Sequence, residues 1–199
     1  MQDAGAQHAA WLLDVQDGMT VLDACAAPGG KSGHLLELAD CRLTAIDVAP
    51  ERARRIEDNL RRLGLAAEVQ VADALRAADA LGGRRFQRIL LDAPCTASGV
   101  ARRHPDTKWL RRPGDIQKFA SLQGALLEAL WQVLEADGKL LYATCSVCPE
   151  ENDDVLRGFL ARHPDARRLS LTPRGFENGQ ILPSATGDGF YYALLDKAP

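Results

Sequence analysis

Along the chain, short apolar runs alternate with stretches whose apolar residues recur at three- and four-residue intervals. Thr20–Ala24, Arg42–Asp47, Glu68–Val71 and residues 88–92 and 139–144 read as strands. The segments between them have credible helix ends. Pro50 suits a first helical position and Gly64 the stop for Pro50–Leu63, while Asp115 is placed to cap residues 116–135, which Gly138 follows. Residues 149–162 again carry a helical pattern. Phe190-Tyr191-Tyr192-Ala193-Leu194-Leu195 reads as a last strand after the turn signal Gly187-Asp188-Gly189, a hairpin adding an antiparallel strand to the sheet edge. Such alternation predicts an α/β fold, a parallel sheet wrapped by helices on both faces. No internal repeat, low-complexity tract or linker interrupts it.

At 199 residues with 46% hydrophobic content, the chain suits one compact domain that needs no disulfide staples. Five cysteines, lying in predicted strands or turns, point to a reducing compartment and free thiols, and a cytoplasmic location is expected. No uninterrupted apolar stretch approaches the roughly 20 residues that span a bilayer. A net charge of −3 and a pI near 5.8 argue against a surface that is basic throughout.

The run Leu22-Asp23-Ala24-Cys25-Ala26-Ala27-Pro28-Gly29-Gly30-Lys31 takes a strand into a glycine turn and then a helix, the usual opening of a nucleoside-cofactor site. Neither phosphate motif fits. A phosphate-binding P-loop needs glycine where Cys25 stands, and the dinucleotide spacing G-x-G-x-x-G is missing, so a cofactor without phosphates is expected. Asp47, closing the second strand, is placed to accept both hydroxyls of an adenosine ribose, and Asp73 to reach the exocyclic amine of the adenine. Taken singly, each of these acids reads equally well as a cap or turn residue. Their alignment with Asp92 at successive strand ends favours the binding reading.

Cys95 in Asp92-Ala93-Pro94-Cys95 and Cys145 in Ala143-Thr144-Cys145-Ser146 each close a predicted strand, which places both sulfurs in one crevice. Cys25 and Cys41 read as small apolar fillers. Cys145-Ser146-Val147-Cys148 is a single C-x-x-C without a second pair, so no metal site is expected.

Together, the Asp23–Lys31 run, Asp92-Ala93-Pro94-Cys95, Arg102-Arg103-His104-Pro105-Asp106 and Thr144-Cys145-Ser146 resemble the RNA cytosine carbon-5 methyltransferases of the Sun family, nearest to the RsmB type that acts on bacterial 16S ribosomal RNA. The motifs follow the family's order from about Gln2 to Leu195. The resemblance implies a Rossmann-like S-adenosylmethionine-dependent methyltransferase fold. Its sheet would be mostly parallel and seven-stranded, with an antiparallel edge strand and helices on both faces. It also implies S-adenosyl-L-methionine held by Cys25, Ala26, Ala27, Pro28, Gly29, Gly30 and Lys31, by Asp47 and Asp73, and by Asp92. Residues 1–199 then form a single catalytic domain, expected to be monomeric, without the NusB-like RNA-binding domain that such proteins usually carry at the N-terminus.

Carbon 5 of cytosine is a poor nucleophile, so a thiolate must first add at carbon 6. Cys145 is the candidate for that attack, Asp92 for stabilising the ring, Lys31 for orienting Asp92, and Cys95, by resemblance, for assisting release. Arg102, Arg103, His104, Lys108 and Trp109, with Arg111 and Arg112, offer charge and an aromatic ring to an unpaired RNA strand. The same residues also read as a solvated loop. A second group, Arg52, Arg54, Arg55, Arg61 and Arg62, is interleaved with acids and reads as a solvent face. Two other functions remain open: a DNA cytosine methyltransferase in which Cys95 is the nucleophile, and a non-catalytic S-adenosylmethionine-binding RNA assembly module.

Overall fold

The computed structural model describes residues 2–171, 178–185 and 187–199. In chain order its elements are α1 (Ala4–Leu13), β1 (Thr20–Ala24), α2 (Gly30–Leu38), β2 (Arg42–Asp47), α3 (Pro50–Leu63), β3 (Glu68–Val71), α4 (Ala77–Ala80), β4 (Phe86–Asp92), α5 (Thr107–Leu110), α6 (Asp115–Gln132), β5 (Leu134–Thr144), α7 (Asp153–Arg162), β6 (Ala166–Leu169), β7 (Gln180–Ile181) and β8 (Phe190–Lys197). Seven strands lie in the order β3-β2-β1-β4-β5-β8-β6, and the two-residue β7 pairs with β8. The first five run parallel. β8 is antiparallel to both of its neighbours and lies one place in from the rim, which β6 forms.

The central strands are buried on both faces, as a parallel sheet between helix layers requires. One apolar layer includes Ile89, Leu91, Leu127, Leu130 and Phe159. The other includes Leu13, Leu35, Ile56, Leu90 and Tyr192. Because side chains alternate along a strand, Leu90 and Leu91 feed opposite layers. α1 belongs to the second layer and closes it. The Tyr192 hydroxyl donates to the Gly5 carbonyl at 2.6 Å. A Cβ on Gly5 would come within 2.6 Å of the Phe190 ring, so only glycine lets this helix lie so low.

Several boundaries differ from those read in the sequence. The helix expected over residues 116–135 ends at Gln132, because Leu134 already pairs with Phe86, and the register then shifts before Lys139 meets Arg88. Gly114, not Asp115, is its N-cap, and the Asp115 carboxylate accepts from the Arg112 N–H instead. Residues 149–162 are not one helix. A 3-10 turn over Pro149–Glu151 is separated from α7 by Asn152, whose φ of −118° and ψ of −100° are not helical. α1, the short α4 and α5, β6 and β7 carry no strong period in the sequence.

Candidate functional site

The site forms where β1, β2, β4 and β5 end in parallel, because there the chain leaves the sheet and exposes backbone and side chains to one crevice. The turn after β1 is shaped by Cys25 and Gly29, with φ of 59° and 93°. A side chain on Gly29 would adopt a disfavoured backbone and press on Ile56, at 3.1 Å. The Asp47 carboxylate anchors the turn from β2. It is 2% exposed, accepts from the N–H groups of Ala27 and Ala49, each at 3.3 Å, and pairs with Arg52 at 3.2 Å. Arg52 therefore faces the site, although the charge pattern of α3 put it on a solvent face.

A cavity of about 520 Å³ runs along these strand ends. Asp47, Asp73, Val48 and Leu75 line one end, and Asp92, Pro94, Cys95 and Cys145 the other. Asp73 lies just beyond β3. One of its oxygens accepts from the Leu75 N–H at 2.9 Å, so the cap role and the place in the cavity coincide. Cys25 also lines the cavity, and burial first, then the charges of Asp92, Asp47 and Asp23, push its thiol up to about 12. It has the character of a filler. Ala26, Pro28, Gly29 and Gly30 face a neighbouring cleft that shares Ala27 and Asp92 with the main cavity.

The two cysteines meet. Cys95 Sγ and Cys145 Sγ are 3.4 Å apart, both as free thiols. Their shared proton divides them. The hydrogen bond with Cys95 holds the Cys145 thiol below its ordinary value against the opposing effect of burial; Asp92 also pushes it up and Lys31 draws it down. The same hydrogen bond, reinforced by burial, drives Cys95 well up. Lys31 Nζ donates to Asp92 Oδ2 at 2.6 Å. Burial alone would lower the Lys31 ammonium, but the charge and hydrogen bond of Asp92 outweigh it and raise the pKa.

The basic loop is less free than its sequence suggests. Arg102 and Arg103 pair with the buried Asp188 at 3.3 and 2.5 Å, and approach Asp3 at 3.9 and 3.8 Å. They tie the loop after β4 to the turn before β8. Arg111 donates to the Thr96 carbonyl at 2.7 Å and lies over the Phe119 ring, so it supports the Cys95 loop. His104, Lys108 and Trp109 remain on the surface, and Trp109 is 88% exposed.

Sequence reasoning missed the groups that join the two cysteine loops. Glu151 is fully buried and accepts four hydrogen bonds, from Thr96 N and Oγ1, Ser146 Oγ and Gln123 Nε2. Asn152 accepts from Thr144 Oγ1 at 2.7 Å and donates to the Ser146 carbonyl at 3.0 Å. In a helical reading of residues 149–162, Glu151 passes for a solvated first-turn acid. The only signal was its nearness to Thr144-Cys145-Ser146.

Sheet order, the glycine turn and the acids at the strand ends define a Rossmann-like S-adenosylmethionine-dependent methyltransferase fold. The chain belongs to the 16S rRNA methyltransferase RsmB/F family, which matches residues 10–196. The Ribosomal RNA small subunit methyltransferase B of Sodalis glossinidius (strain morsitans) is 54% identical over 200 residues, covering 99% of this chain and 46% of the relative. The protein of the same name from Cronobacter sakazakii is 51% identical over 199 residues, again 99% and 46%. The chain thus spans about half the length of these curated relatives. Among solved structures, NSun6 from Pyrococcus horikoshii with SFG superposes with a TM-score of 0.88 at 28% identity, covering 100% of this chain and 53% of that one.

Proposed function

We propose that the chain transfers a methyl group from S-adenosyl-L-methionine to carbon 5 of a cytosine in RNA, with 16S rRNA as the substrate. The observation that carries this reading is the pair of thiols 3.4 Å apart, at the end of a cavity whose other end offers Asp47 and Asp73. The names of the curated relatives support the rRNA substrate, and SFG, an S-adenosylmethionine analogue, in the NSun6 structure supports the cofactor.

The residues present fit that cofactor. Val48 and Leu75 are 62% and 41% exposed, an apolar wall beside two carboxylates and suited to a flat purine with its amine and ribose hydroxyls. Among the described residues no cluster of cationic groups awaits a phosphate there, since the guanidinium that lines the cavity, Arg52, is paired with Asp47. In this reading Asp47 binds the ribose, Asp73 the adenine amine, and the turn from Cys25 to Lys31 the methionine end. When bound, the cofactor supplies an electrophilic methyl group.

Cys145 is the nucleophile. An ordinary free thiol, with pKa about 8.5, is only slightly ionised at neutral pH, and the hydrogen bond with Cys95 favours the thiolate of Cys145. Addition of Cys145 Sγ at carbon 6 moves the ring electron pair toward carbon 5, where the methyl group is received. Asp92, held by Lys31, accepts from the exocyclic amine of the cytosine and fixes the ring for attack. Cys95, having given its own proton to solvent, takes the carbon 5 proton; the electron pair of that C–H bond returns to the ring and expels Cys145 as a thiolate. Lys108, Trp109 and His104 contact the RNA beside the target base, which must be unstacked to enter. Cys145 is only half-buried while Cys95 is buried, which supports Cys145 rather than Cys95 as the sulfur that attacks.

The test is methyl transfer from labelled S-adenosylmethionine to 16S rRNA, followed by mass spectrometry of the nucleosides. Cys145→Ala is expected to abolish transfer, and Cys95→Ala to trap RNA covalently on the protein. Exchange of these two phenotypes would favour the DNA-type mechanism. Cofactor binding with no label in any RNA would leave the assembly module.

A further inference from the structure

The two reacting thiols belong to different loops, one after β4 and one after β5, so their spacing depends on whatever joins those loops. A backbone bond does part of this, from Gly99 N to the Cys145 carbonyl at 2.9 Å. Ser98 adds a side-chain link, its Oγ accepting from the Val147 N–H at 3.0 Å and lying 3.1 Å from Ser146 Oγ, and Glu151 adds the most extensive one. Its Oε1 accepts from the Thr96 N–H at 2.8 Å, which is the peptide group joining Thr96 to Cys95, and from Gln123 at 3.2 Å. Its Oε2 accepts from both hydroxyls that follow the cysteines, Thr96 Oγ1 at 2.5 Å and Ser146 Oγ at 2.6 Å. Ser146 Oγ in turn accepts from the Cys148 N–H at 3.1 Å. One carboxylate therefore holds the residue after each thiol.

Packing alone does not account for such a group. A carboxylate at 0% exposure is costly to desolvate and is retained only when its lone pairs are met, and an apolar residue would fill the same space without that penalty. What the carboxylate adds is direction, since four converging donors fix two loops at one separation. We propose that Glu151 is a positioning residue that sets the distance between Cys145 and Cys95. The proposal rests on the reading of these cysteines as the attacking and releasing groups.

Length, rather than charge, is the property that matters. Aspartate keeps the charge but is one methylene too short to reach both loops. Glutamine keeps the length, its oxygen can still accept from the Thr96 N–H, and its amide can donate to a hydroxyl that turns round to accept. The expected order of activity is wild type, then Glu151→Gln, then Glu151→Asp.

The experiment has two readouts on the intact chain. The first is capture of phenylarsine oxide, which bridges two thiols only when they stand close together. The second is methyl transfer to 16S rRNA, with kcat, the KM for S-adenosylmethionine and the amount of covalent RNA adduct measured per folded molecule. Wild type and Glu151→Gln should form the bridged arsenical. Glu151→Asp should lose the bridge and lower kcat roughly 10²-fold, the effect of misplacing reacting groups by about an ångström. Its KM for the cofactor should stay unchanged and its RNA adduct should accumulate. Should Glu151→Asp not fold, Ser146→Ala, which removes one of the four bonds, is expected to move both readouts in the same direction by less. Wild-type bridging and kcat in these variants, or better rescue by aspartate than by glutamine, would overturn the positioning role. A wild-type chain that bridges the arsenical but never captures RNA would overturn the proposed function instead, while loss of the bridge in Glu151→Asp would still support the spacing role.

Discussion

Replacing Asp23 by asparagine should change how stability depends on pH. Asp23 closes β1 behind the glycine turn and is fully buried; one oxygen accepts from Ser32 Oγ at 2.6 Å, and the other has no partner. Burial pushes its carboxyl from the ordinary 3.8 up to about 7, with Asp92 and Asp47 adding to the rise and Ser32 and Lys31 opposing it. The folded chain therefore keeps a proton that the unfolded chain releases. This raised pKa gives a stabilising contribution that is complete below pH 3.8, declines as pH rises, and is gone above about 7. At about 1.4 kcal/mol per pH unit, the difference between 3.8 and about 7 corresponds to about 4 kcal/mol. The asparagine side chain has no such titration, and any cost of its amide in place of the unpartnered oxygen is the same at every pH. Urea unfolding of both chains at several pH values from about 4 to 8 gives the difference in ΔG, in which the remaining carboxylates cancel. Wild type should lose about 4 kcal/mol relative to the variant as pH rises. Parallel curves, differing by a constant, would show that Asp23 is ionised throughout and would refute the reasoning.

Gly99→Ala should lower Tm by several degrees in calorimetry, because a Cβ there would run into the Gly189 carbonyl and stand 2.9 Å from the Cys145 carbonyl, and backbone cannot turn aside. Arg103→Ala should cost about 1–2 kcal/mol in denaturant unfolding, since it removes a partner from the fully buried Asp188 while Arg102 remains; the figure is kept low because Arg103 is itself 42% exposed. Lys108→Ala should leave stability unchanged in the same assay and weaken RNA binding in a filter assay, with a smaller dependence of affinity on salt. Lys31→Met should reduce kcat for methyl transfer at least about tenfold by freeing Asp92, without abolishing folding measured by circular dichroism; wild-type turnover would remove its orienting role.

Much of the fold was legible because the signals were local. Residues from Thr20 to Ala24 and from Arg42 to Asp47 are apolar runs of strand length, Pro50 and Gly64 mark helix ends through their own backbone limits, and the structure keeps all of these bounds. Failures came where a partner far along the chain decides. Val133 to Glu135 continue a helical pattern, yet Leu134 is taken into β5 by pairing with Phe86. β6, with Arg167 and Arg168 at its centre, and the two-residue β7 carry no apolar run and exist because β8 offers them edges.

The same division applies to the site. The sequence by itself determined which groups are present: two thiols and three acids at strand ends, a glycine turn and the lysine that follows it. Only the tertiary structure decided their relations. It placed the sulfurs 3.4 Å apart, drew Arg52 onto Asp47, committed Arg102 and Arg103 to Asp188, and turned Glu151 inward to hold both cysteine loops. The physical reason is that side-chain identity and local period are written residue by residue. A hydrogen bond or an ion pair depends instead on the separation of two groups, and that separation exists only once the sheet has brought distant strand ends side by side.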